Sequence, residues 1–124
     1  MMFWRKHTAI LALVLGCAGL SACGQRDWRA AAIADAENQI RTNVNDPSAE
    51  FSGVQVTGND RTGQTCGYVS AKVSTGGQES GRFIIYIDGT AGPFIENHMG
   101  TIPMTHKRFE FAWQNDCIKE GYKD

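Results

Sequence analysis

His98-Met99 and Met104-Thr105-His106 place two imidazoles and two thioethers within a nine-residue span around Gly100 to Pro103. Imidazole and thioether donors suit copper, and the soft sulfur favours Cu(I). His98, Met99, Met104 and His106 are therefore a candidate copper loop. Neither spacing is diagnostic, and methionine commonly fills irregular gaps in a core. Catalytic motifs are missing: there is no Gly-x-Ser-x-Gly elbow, no phosphate-cradling glycine loop, no His-Glu-x-x-His and no calcium loop. Asp60 and Asp88 stand beside turn formers, where aspartate serves turn chemistry. The residues thus read as a non-enzyme, with copper as the one cofactor they admit. Two segments rich in turn residues are candidate partner loops, with Asn59, Asp60 and Arg61 in the first and Gln78, Glu79 and Arg82 in the second.

The elements that must carry these residues follow from the hydrophobic pattern. Asp27 is placed to cap a helix running to about Val44. Trp28, Ala32, Ile33, Ala36, Ile40 and Val44 recur at helical steps and form one apolar stripe. The helix must end near Asn45, because Asp46 precedes Pro47 and is pushed out of the α region. Val54 and Val56 alternate with polar residues in a short strand, and Gly58 to Gly63 is a loop of turn formers. In the next strand, Thr65 to Val73, Val69, Ala71 and Val73 share one face while Cys66, Tyr68, Ser70 and Lys72 share the other. Thr75 to Gly81 reads as a glycine-rich hairpin connection. Arg82 to Asp88 is apolar on both faces, with Phe83, Ile85 and Ile87 opposite Ile84 and Tyr86, which marks a central strand covered by the helix on one side. Pro93, Gly100 and Pro103 make the following stretch loop or edge strand. Lys107 to Trp113 alternates again, which predicts a last strand with Phe109, Phe111 and Trp113 inward. One helix followed by strands without helical crossovers predicts an α+β fold, an N-terminal amphipathic helix on an antiparallel sheet of about four strands.

The N-terminus carries a different signal. Arg5, Lys6 and His7 form a positive head, and Ala9 to Leu20 is a 12-residue apolar run broken only by Cys17. A spanning helix needs about 20 apolar residues, so the run has the shape of a secretory signal. Leu20-Ser21-Ala22-Cys23 resembles the lipobox of bacterial lipoproteins, in which the cysteine thiol is diacylated, the signal is cut before it and the new amine is acylated. Val14-Leu15-Gly16-Cys17 is a rival box, but it leaves too short an apolar run before the cut. The resemblance implies a signal peptide over residues 1–22, a lipidated tether over 23–26 and a single domain over 27–124. It implies attachment to the cell envelope through acyl chains on Cys23. Gly24, rather than Asp, after the cysteine favours the outer membrane facing the periplasm, by comparison with Gram-negative lipoproteins.

On that reading Cys17 leaves with the signal and Cys23 carries lipid. Cys66 and Cys117 remain as an even pair in an oxidising compartment, which implies a disulfide between them. Loss of Arg5 and Lys6 takes the basic residues from 12 to 10 against 13 acidic, a formal charge of −3. No basic stripe is present in the sequence, which argues against nucleic acid, and no polybasic cluster adds to the lipid anchor.

A second resemblance covers Asp46 to Phe83. Asp46-Pro47-Ser48-Ala49-Glu50-Phe51, Cys66-Gly67-Tyr68-Val69-Ser70-Ala71-Lys72, Gly76-Gly77 and Phe83 resemble a pattern in small, mostly uncharacterised bacterial exported proteins: D-P-x-S-A-x-F, C-G-x-V-N-A-K, then G-G-Y and an aromatic strand. Ser70 stands where Asn is usual, Gln78 where Tyr is usual, and the first motif is one residue short. The resemblance implies fold and export and carries no activity. The expectation is a lipid-anchored envelope protein that acts by binding an envelope partner, with a periplasmic copper-binding protein as the alternative.

Overall fold

The computed structural model describes residues 27–124. The signal region, the lipobox and Cys23 lie outside the described residues. Helix α1 spans Trp28–Asn43. Asp27 stands before it in extended backbone, and its carboxylate accepts the Arg29 N–H at 3.0 Å, satisfying a first-turn donor that has no intrahelical partner. The expected apolar stripe is the buried face: Ala36 and Ile40 are fully buried, and Trp28, Ala32, Ile33 and Val44 are half-buried. Asn45 then takes a left-handed φ of 55°, which Asn tolerates better than most residues, and ends the helix.

Four antiparallel strands follow in the order β1 (Glu50–Thr57), β2 (Gln64–Lys72), β3 (Gln78–Tyr86) and β4 (Phe94–Ile95). β1 carries a bulge between Ser52 and Gln55, where Gly53 adopts φ 59°. The bulge is held from outside, because the Tyr122 hydroxyl donates to the Gly53 carbonyl at 2.8 Å. β2 and β3 are paired along their whole length, Gln64 opposite Tyr86 through Lys72 opposite Gln78.

Side-chain alternation splits the core into two layers, one on each side of the sheet. Val69, Ala71, Phe83 and Ile85 pack with Ala36 and Ile40 of α1. Cys66 and Ile84 face the other way, toward Phe109, Trp113, Cys117 and Tyr122. The α+β class, the four-stranded antiparallel sheet and the Cys66–Cys117 bond are as expected from the sequence.

The C-terminal segment corrects the sequence reading. Lys107 to Trp113 is not a strand: His106–Ala112 is helix α2, and Trp113–Ile118 continues it as a π-helical segment. Thr105 supplies the start signal, its hydroxyl accepting the Arg108 N–H at 3.2 Å. Strand and helix both bring Phe109 and Trp113 to one face, but only the helix turns Phe111 away, and Phe111 is 71% exposed. The sheet also leaves no free edge at β3 for such a strand. Phe94 and Ile95 pair with Ile84 and Phe83, the Glu96 carboxylate accepts the Arg82 N–H at 2.7 Å, and the Asn97 amide donates to the Ser80 carbonyl at 2.7 Å. The disulfide therefore joins strand β2 to the π segment, not strand to strand, across a sequence separation of 51.

The hairpin before β3 is also shorter than expected. Val73 N–H bonds to the Gly77 carbonyl at 2.9 Å and closes the turn, so Gln78 to Gly81 belong to β3. Space favours Gly81 there: a Cβ would lie 3.0 Å from both the Glu96 Cβ and the Met99 Cε, so those side chains would have to shift.

Candidate functional site

The densest cluster of charge lies where β3, the turn after β4 and α2 meet. Arg82 projects from β3, and its Nε donates to Glu96 Oε1 at 2.7 Å while Nη2 donates to Glu96 Oε2 at 2.8 Å. The same Nη2 also donates to the Glu110 carboxylate. The guanidinium stacks over Trp113 at 5.0 Å and Phe109 at 5.3 Å. Two-point carboxylate recognition and aromatic stacking are what the planar guanidinium does and an ammonium cannot. The His106 Nδ1 is 3.9 Å from Glu96 Oε2, with a largely exposed ring.

The electrostatics follow from these contacts. Burial by itself would raise the Glu96 pKa, but the hydrogen bonds from Arg82 outweigh it and hold the carboxyl below its ordinary value. The Arg82 side chain, then Gln114, lower the Glu110 carboxyl as well. The hydrogen bonds that Arg82 donates to Glu96 raise the Arg82 pKa further above its ordinary value. Both glutamates are therefore ionised acceptors at neutral pH, committed to one cation, and neither is a proton donor. This cluster fastens α2 to the sheet.

A second feature lies on the outer side of α2. Phe94, Met104, Lys107, Arg108, Phe111 and Ala112 line a hollow of about 340 Å³. Its apolar floor comes from Phe94, Met104 and Ala112, which also touch the core beneath.

The candidate copper ligands are not brought together. Met99 is buried in the α1-side core, and Met104 packs against the core on the opposite side of the sheet. His98 is exposed in a turn at φ 59°, and His106 is exposed beside Glu96. Among the described residues no group of three or more His, Cys, Asp or Glu is arranged to hold a metal ion.

The candidate partner residues divide in the same way. Asn59, Asp60 and Arg61 form an exposed loop, as expected. The Asn59 carboxamide oxygen shapes it by accepting the Arg61 N–H at 2.9 Å and the Thr62 N–H at 2.8 Å. Gln78, Glu79 and Arg82 are strand residues rather than loop residues. Gln78 and Glu79 are exposed, whereas Arg82 is consumed by the ion-pair cluster.

The motifs of the exported-protein pattern prove to be joints. Asp46 Oδ1 accepts the Ser48 N–H at 2.9 Å and the Ser48 hydroxyl at 2.6 Å, and Oδ2 accepts the Lys72 N–H at 2.8 Å. One carboxylate thus ties the turn after α1 to the end of β2, and the Ser48 hydroxyl, then the Lys72 N–H, hold its pKa below the ordinary value. The two departures from the pattern also meet: Gln78 Nε2 donates to Ser70 Oγ at 2.9 Å. Glu96, Glu110 and the free position of Phe111 were missed from sequence. The Thr105 cap and the four-residue spacing of Phe109, Trp113 and Cys117 were the signals that could have found Glu110 and Phe111, whereas Glu96 had no local signal.

No family model matches this chain, and no curated protein and no solved structure is significantly similar to it.

Proposed function

We propose that this chain is a lipid-anchored protein of the cell envelope, without catalytic activity, that works by binding another envelope protein. The observation that carries the reading is the order of its N-terminus: a positive head, a short apolar run, then Leu20-Ser21-Ala22-Cys23. Acyl chains on Cys23 would hold the protein at the bilayer, more than one chain being needed for stable attachment. The bonded pair Cys66–Cys117 supports an oxidising compartment. The commitment of Arg82, Glu96 and Glu110 to one another supports a structural rather than catalytic use of that cluster.

The Asn59-Asp60-Arg61 loop is the proposed partner contact, because it is exposed and its shape is set by its own side chain. Fractionation of cells carrying Cys23→Ser tests the anchor: the variant is expected to leave the membrane fraction, and unchanged fractionation refutes lipidation. A photoreactive side chain at position 60 is expected to give one discrete protein adduct in intact cells. Absence of any adduct from this loop, together with a melting-temperature shift by a small molecule, refutes protein binding as its role.

A further inference from the structure

We propose that the outer face of α2 and the π segment is a contact surface for anionic phospholipid headgroups, with Phe111 entering the membrane interface. Phe111 is the exposed large hydrophobic among the described residues. Lys107 and Arg108 flank it one turn earlier, are exposed, and make no ion pair among the described residues. The face continues along the axis. The Asn115 amide donates to the Phe111 carbonyl at 2.7 Å, and the exposed Lys119 ammonium donates to Asn115 Oδ1 at 3.0 Å.

Charge is sorted around this element. Its two carboxylates are occupied, Glu110 by Arg82 and Gln114 and Asp116 by the Tyr86 hydroxyl. Glu120, beside Lys119, is the exposed acid at the far end. The sequence has 12 basic against 13 acidic residues, yet this face sets Lys107 and Arg108 beside an exposed ring and Lys119 two turns further along. Cations beside an apolar side chain are the composition that binds an interface plane with anionic lipid. Phe109, Trp113 and Cys117 pin the opposite side of the element to the sheet, so the face is presented as a rigid unit.

The inference rests on the lipid-anchor reading for the nearness of a bilayer. Four residues separate Cys23 from Trp28, and the five Cα-to-Cα steps between them reach at most about 18 Å when extended. The anchor then supplies residence, and the α2 face would fix which side of the domain lies on the membrane.

The test uses the acylated protein carrying Phe111→Trp, reconstituted into vesicles of brominated phosphatidylcholine with or without phosphatidylglycerol. Fluorescence quenching beyond that of the unaltered protein is expected only with phosphatidylglycerol present. Adding Lys107→Gln and Arg108→Gln is expected to lower the docked-to-undocked ratio by roughly thirtyfold, the loss of two headgroup contacts. An indole at position 111 left unquenched, or quenched equally in neutral vesicles, overturns the proposal. So does a discrete protein adduct from a photoreactive residue at position 111 in cells without quenching in vesicles, which assigns the face to an acidic protein. Intact mass reads the acyl chains separately. If they are missing, co-sedimentation of the extracted protein with anionic vesicles, compared with Phe111→Ser, still decides the role of the face.

Discussion

Replacing Cys66 and Cys117 by alanine together should be the most damaging change that leaves every backbone hydrogen bond in place. The two cysteines are 51 residues apart, and the chain-entropy relation for a loop of that size gives about 4 kcal/mol. Both side chains are fully buried beside Trp113 and Ile84, so the space left by the two sulfurs adds to the loss. A domain of this size has a net stability of about 5–15 kcal/mol, so the variant is expected to be marginal or unfolded. Urea denaturation followed by tryptophan fluorescence measures it. With a slope of about 1.5 kcal/mol per molar, the midpoint should fall by about 2–3 M. The comparison belongs at zero denaturant, because an unlinked denatured chain exposes more surface and steepens the slope. A loss below about 1 kcal/mol refutes the entropic reasoning and means that the denatured chain is already confined without the bond.

Three further expectations concern the residues around that bond. Phe109→Ala should cost about 3–5 kcal/mol, whereas Phe111→Ser should change stability by less than about 0.5 kcal/mol; equal losses in thermal denaturation would restore the strand. The Glu96 and Glu110 carboxyls are held below the glutamate value of 4.5, so their contribution is full above that value and is lost as pH falls through the lower folded-state pKa values. Arg82→Met should flatten this acid limb of a stability-versus-pH curve, and an unchanged limb would remove the cluster from the account. The Thr65 hydroxyl is buried with no hydrogen-bond partner among the described residues, so Thr65→Val should raise stability by about 1 kcal/mol, read as a higher urea midpoint; a loss would reveal a partner.

How much of this was legible in the sequence depends on how local the deciding physics is. The α1 stripe, its Asp27 cap and its end before Pro47 rest on neighbours within one or two turns, and all three stand in the structure. The two faces of β2 and β3 were equally legible, because strand alternation needs only the residue types. Cysteine counting gave the Cys66–Cys117 pair once Cys17 and Cys23 were set aside. Phe109, Phe111 and Trp113 fit a strand of period two, and Phe109, Trp113 and Cys117 fit a helix just as well. The choice was made by contacts from far along the chain: Phe94, Ile95, Glu96 and Asn97 close the β3 edge, and the Arg82 guanidinium of β3 pairs with Glu110 of the helix. The sequence alone determined which residues could be apolar, capped or cross-linked, since those properties belong to side chains and their near neighbours. Only the tertiary structure decided that Met99 and Met104 part company and that Phe111 faces out among cations, because each outcome depends on which surfaces the other elements had already covered.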